Sequence, residues 1–362
     1  MRCAEGRRRQ LYCGDRIVAK ACILSVSGSV LTPGEADLFK AQNPWGVILM
    51  GRSCVSRDQV RRLVADIWDS TGRKTLIFID QEGGRVARLK APEWPLFPRG
   101  ADYAAIYEKD AELGREACWL GHRLIASELA SLSIHADCAP VVDLPVPGAH
   151  DVIGDRAFGA EPEQAADLAQ AAMAGLHAGG VASVIKHIPG HGRSMADSHL
   201  QLPRITAGDN ELSKDFDAFS RVADAPMAMT AHIAYEAYDP GKAATVSRYM
   251  IQEIIRGRIG FDGLLMTDDL GMRALGGSLA ERAHASIAAG CDVLLHCSGF
   301  LKDPAEILAE MTEVAEAAPV LAGRPAERAA AADAIAQQAE PIEPAKAWQR
   351  FHELFPNVGA AE

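Results

Sequence analysis

No C-x-x-C pair occurs among the eight cysteines, which lie scattered at positions 3, 13, 22, 54, 118, 138, 291 and 297. That spacing argues against a zinc knuckle and against a disulfide framework. Cys22, Cys138 and Cys291 sit inside apolar runs, where a reduced thiol behaves as a small hydrophobe; reduced cysteines fit a cytoplasmic protein. Positive charge is also short. Lys and Arg number 37 against 48 Asp and Glu, giving a formal net charge of −11 and a pI near 5.5. This argues against nucleic acid or an anionic membrane as the main partner. No apolar run is long enough to span a bilayer. The N-terminal MRCAEGRRRQ followed by the apolar residues 21–31 mimics a secretory signal only weakly, because Asp15, Arg16 and Lys20 intervene.

What is present is an ample core: 48% hydrophobic residues at a mean hydropathy of −0.02 over 362 residues. Short apolar runs at 21–27, 46–50, 75–80, 134–143, 182–187, 226–232, 263–268 and 292–296 read as strands. Amphipathic segments fall between them at 33–41, 56–70, 111–131, 161–178, 215–223, 247–256, 278–289 and 304–317. Eight strands with intervening helices make an α/β chain, and the count is that of a single (β/α)₈ TIM barrel. A doubly wound sheet fits less well, since no G-x-G-x-x-G follows the first strand. The organisation expected is an N-terminal arm (1–18), a barrel (19–320) and a helical tail (321–362) packed on it.

Polar residues recur at or just past the C-terminal ends of these strands: Asp80, Asp143, Lys186–His187, His232 and Asp268. In a barrel those ends converge on one face, where sites are built. The richest stretch is KHIPGHGRSMADSHLQLP (186–203), which holds three of the chain's eleven histidines. Pro189, Gly190 and Gly192 forbid a continuing helix, so a loop follows, and in it Asp197 and His199 share a face if the segment is extended. Such a glycine-hinged loop is expected to be mobile from Gly190 to His199. Of the paired acids in TDD, Asp268 points into the barrel and Asp269 suits a capping position. Asp80 opens DQEGGRVARL, offering a carboxylate with Arg85 and Arg88, and Arg156 lies in the loop IGDRAFG. A mouth of Asp, Arg, Lys and His suits a ligand rich in hydroxyls, such as a sugar. Glycoside hydrolysis needs one group at the anomeric carbon and one to protonate the leaving oxygen. Asp268 suits the first role. No Glu ends a strand, which leaves His199, charged and oriented by Asp197, for the second.

KHIPGHG…DSH, with DQEGGRV upstream and TDDLGM downstream, resembles the family-3 glycoside hydrolases, and among them the NagZ-type β-N-acetylglucosaminidases of bacterial cell-wall recycling. The resemblance runs from about the first strand to the eighth. It implies Asp268 as nucleophile and His199, paired with Asp197, as general acid/base. It implies that Asp80, Arg88, Arg156, Lys186 and His187 bind the N-acetylglucosamine unit. It also implies a cytoplasmic, retaining exo-enzyme without cofactor or metal, acting on N-acetylglucosaminyl-β-1,4-anhydro-N-acetylmuramic acid with or without its peptide; a monomer is expected. Three rivals remain at this point, one of them a non-catalytic sugar-binding or scaffold barrel, against which the intact Asp268, Asp197 and His199 argue. A metal-dependent barrel hydrolase would use His187, His191, His199, His232 and an Asp, although Pro189 and Gly190 deny His187 and His191 a shared helix. A β-N-acetylglucosaminide phosphorylase would share the site and replace water by phosphate.

Overall fold

A computed structural model of the chain describes residues 19–195, 202–299, 301–336, 338–356 and 358. Eight parallel strands close into a barrel: β1 (Lys20–Leu24), β2 (Pro44–Leu49), β3 (Leu76–Ile79), β4 (Ala136–Asp137), β5 (Ala182–Ile188), β6 (Met227–Thr230), β7 (Leu264–Asp269) and β8 (Val293–His296). Each pairs with its neighbours in chain order, and β8 returns to β1. The helices lie outside: α1 (Pro33–Gln42), α2 (Arg57–Thr71), α3 (Gly100–Tyr107), α4 (Ala111–Ala130), α5 (Pro162–Ala178), α6 (Asp209–Ser220), a π-helical segment (Met250–Arg258), α7 (Leu279–Ala289) and α8 (Pro304–Ala317). This is the TIM barrel that the alternating pattern predicts.

Local chemistry starts and stops these elements. Thr32 caps α1 and Glu35 closes the capping box, with Pro33 in the first turn; Ser278 and Glu281 do the same for α7. Gly72, at φ 68°, ends α2 in the left-handed conformation. The fourth strand is shorter than its apolar run because Pro140 lacks an N–H for the ladder. Pairing continues only irregularly, with Lys186 N donating to Pro140 O at 3.1 Å and Val142 N to Lys186 O at 2.8 Å.

Strand residues two apart point the same way, and this sorts the core into two parts. Ile23, Ile48, Leu76, Phe78, Ala182, Val184, Met227, Met229, Leu264, Met266, Val293 and Leu295 fill the lumen. Their outward-facing neighbours pack under the helices. Gly46 leaves room for Phe78, whose ring lies 2.6 Å from where a Cβ would stand. Helix α9 (Gly323–Ile335) closes the floor with Ala329 and Ala332 in the lumen cluster. Helix α10 (Pro344–Leu354) buries Phe351, and the next residue past its end, Phe355, stacks edge-on to Tyr103 at 5.2 Å. No described helix is long and apolar enough to cross a membrane.

Candidate active site

The lumen parity carries straight into the mouth. After Leu76 and Phe78 comes Asp80; after Ala182 and Val184 comes Lys186; after Leu264 and Met266 comes Asp268. All three therefore face one cavity of about 470 Å³, floored by Ile48, Met229, Leu295 and Cys297. The volume lies in the range of small-ligand sites. Arg88, Arg156 and His187 line it too, so all six described residues of the expected set come together. Asp197 and His199 lie outside the described residues.

Glu82 joins this charged group, and the strand-end pattern in the sequence does not single it out. It lies past the strand end, in the hairpin Gln81–Gly83 and Val86–Ala87, and continues the parity 76, 78, 80, 82. That alternation is the signal that points to it. Gln81, facing the other way, orders the hairpin: its Oε1 accepts from the N–H groups of Arg88 and Leu89, both at 3.0 Å. Gly83, at φ 94°, turns against the Pro98 carbonyl, which would sit 2.2 Å from an added Cβ.

Buried charges here satisfy one another. Lys186 Nζ lies 2.9 Å from Asp80 Oδ1 and 2.6 Å from Glu82 Oε1. Arg156 grips Glu82 through two 2.8 Å bonds, and Arg88 holds Asp80 Oδ2 at 2.8 Å. Burial pushes the Glu82 carboxyl up, but Arg156 and Lys186 outweigh it and hold it at about 2; Lys186 and Arg88 likewise keep Asp80 well below the usual range. Lys186 is correspondingly raised, its burial overcome by the same two carboxylates. Glu82 therefore stays anionic near neutrality and cannot serve as a proton donor. Around the strand ends three cations (Arg88, Arg156, Lys186) meet three carboxylates (Asp80, Glu82, Asp268), a balance suited to a neutral polar ligand rather than an anion. Glu82 also makes acid stability testable. Its folded pKa is depressed, so its contribution is present above about pH 4.5 and lost as pH falls through about 2, on the order of 3 kcal/mol at most. Urea unfolding of Glu82→Gln between pH 5 and 2 is expected to show a shallower pH slope than the wild type; an unchanged slope refutes the assignment.

Two strand-end residues do not face the cavity. His232 is fully buried, with Nδ1 2.7 Å from Thr245 Oγ1 and Nε2 3.1 Å from the Asp269 carbonyl, and burial lowers its pKa. Asp143 sits behind His187. Asp269 takes N–H bonds from Gly271 and Cys297, both at 2.9 Å, and so fixes the turn after β7; it caps no helix, since α7 begins only at Leu279 with Ser278 as its cap. Arg85 reaches only the rim, spending its guanidinium on Asp155 and the carbonyls of Asp151, Val152 and Ile153. Among the described residues no group of three or more His, Cys, Asp or Glu could hold a metal ion.

The described half of the signature loop lacks the freedom its glycines suggest. His191 N donates to Asp143 at 2.6 Å, Tyr235 Oη to the Gly190 carbonyl at 2.5 Å, and Arg193 pairs with Asp215 at 2.5 Å. Gly192 packs so closely that a Cβ would lie 1.8 Å from the Leu144 carbonyl oxygen. Up to Ser194 these contacts hold the segment against the barrel, which argues against free movement starting at Gly190.

A closed parallel barrel whose mouth gathers carboxylates, guanidinium groups and a lysine around a sugar-sized cavity defines a barrel glycosidase. Comparison gives the family. The glycosyl hydrolase family 3 N-terminal domain matches residues 31–323. The chain belongs to glycoside hydrolase family 3, within its β-N-acetylhexosaminidase group. It is 40% identical over 281 residues to a beta-hexosaminidase of Alkalilimnicola ehrlichii, covering 76% of this chain and 80% of that protein. It is 37% identical over 282 residues to that of Tolumonas auensis, with 76% and 82% covered. The structure of NagZ from Neisseria gonorrhoeae in complex with N-trifluoroacetyl-D-glucosamine superposes with a TM-score of 0.73 at 29% identity, covering 88% of this chain and 98% of that one. A family 3 β-N-acetylglucosaminidase from Paenibacillus reaches 0.79 at 27% identity, with 92% and 67% covered.

Proposed function

We propose that the protein is a retaining exo-β-N-acetylglucosaminidase that removes terminal N-acetylglucosamine from peptidoglycan fragments, N-acetylglucosaminyl-β-1,4-anhydro-N-acetylmuramic acid among them, in cytoplasmic cell-wall recycling. The observation that carries this reading is Asp268 at the mouth end of β7, sharing one cavity with Asp80, Arg88, Arg156, Lys186 and His187. In this reading Asp268 attacks the anomeric carbon, and a covalent glycosyl-enzyme forms. His199, paired with Asp197, first protonates the leaving oxygen and then activates water. The carboxylates and cations around the sugar accept from and donate to its hydroxyls. Asp80 and Glu82, held anionic by Lys186, Arg88 and Arg156, serve as acceptors. The lumen floor closes one end of the cavity, which supports removal of a terminal unit rather than cleavage within a chain.

Purified protein is expected to hydrolyse p-nitrophenyl N-acetyl-β-glucosaminide and to turn over the plain β-glucoside about 10²-fold or more slowly. Equal turnover of both would refute selectivity for the acetamido group. Running the assay with phosphate separates a phosphorylase, which would release the sugar 1-phosphate faster than free sugar.

A further inference from the structure

We infer that Asp143 is a positioning residue: its single buried carboxylate sets the ring tautomer of His187 and seats the base of the signature loop. The inference rests on reading the cavity as the sugar site. Asp143 has no exposed side-chain surface, and its bonds run to N–H groups of the signature segment. Oδ2 lies 2.6 Å from His187 Nδ1, and Oδ1 accepts the His191 N–H at 2.6 Å. The His187 backbone N–H lies 3.2 Å from both oxygens. Burial pushes this carboxyl up, but the two histidines outweigh it and its pKa is lowered, so Asp143 is ionised and can only accept. His187 Nδ1 therefore carries a proton, and Nε2 is the nitrogen left to the cavity that His187 lines. A carboxylate that served the backbone alone would have no need of the ring.

Asparagine at 143 separates the two tasks. With its oxygen in the Oδ1 position it still accepts from His191. Its NH₂ then faces His187 Nδ1, which must become an acceptor, so the ring proton moves to Nε2. Asp143→Asn is expected to lower kcat/KM on the aryl N-acetylglucosaminide about 10- to 100-fold, the cost of one charge-assisted hydrogen bond misdirected. In a His187→Gln background the same change should cost less than about threefold, since no ring remains to orient. ¹⁵N NMR of histidine-labelled wild-type protein, with His187→Gln to assign the ring, should show Nδ1 protonated. In Asp143→Asn the proton should lie on Nε2. A wild-type His187 with bare Nδ1 overturns the inference, as does an equal loss in both backgrounds. The wild-type spectrum needs no variant to fold. If the wild type fails on the aryl glycoside, the proposed function falls while the spectrum still decides the role of Asp143.

Discussion

Asp268→Ala is expected to abolish turnover for every leaving group, a loss on the order of 10⁴-fold or more, because no second group described in the cavity replaces a nucleophile. Glu82 and Asp80 are carboxylates, but each is already bound to two cations, and Asp151, the other carboxylate lining the cavity, is exposed on a loop rather than at a strand end. His199→Ala should behave differently. Proton transfer contributes about 10²- to 10⁴-fold, and dinitrophenolate leaves without a proton. With that leaving group the variant is expected to release a burst of phenol and then slow, since deglycosylation still needs a base. Asp197→Ala should fall between the two. Stopped-flow measurements on the three variants check this, and a His199→Ala loss that is equal for good and poor leaving groups contradicts it.

Lys186→Met is expected to be the most damaging change among the sugar contacts. The ammonium is almost wholly buried and lies 2.9 Å from Asp80 and 2.6 Å from Glu82. Removing it leaves each carboxylate with one arginine and a neutral neighbour. Breaking a buried ion pair from one side costs about 3 kcal/mol. Binding suffers as well, because the two acceptors lose the cation that fixes their positions. Urea unfolding should show the stability loss, and saturation kinetics should show KM raised with kcat/KM reduced. A variant within about 1 kcal/mol of wild type, the usual range of an exposed pair, would mean that the cluster is less tightly coupled than its distances indicate.

Much of the fold and half of the site can be read from local sequence pattern. Period-two alternation within apolar runs places Asp80, Lys186 and Asp268 on the lumen side, and it also chooses Asp268 over Asp269. Glu82 escapes a search confined to strand ends, because the alternation runs on through the hairpin that follows. His232 shows the opposite error: a polar residue after a strand reads as a site residue, yet Thr245 and the Asp269 carbonyl satisfy it inside the core. Asp143 is visible as a strand-end acid, but its partner is not, since the contact to His187 joins residues 44 apart. Helix boundaries drift where local signals compete. Helix α6 begins at Asp209 rather than at residue 215, because Glu211 reaches back to the Gly208 N–H. The π-helical geometry of Met250–Arg258 has no counterpart in the apolar spacing.

The most direct measurement is to trap the glycosyl-enzyme with a fluorinated N-acetylglucosaminyl fluoride and to map the modified residue by mass spectrometry. One sugar esterified to Asp268 is the predicted result. A sugar attached to any other residue would contradict the assignment of the nucleophile.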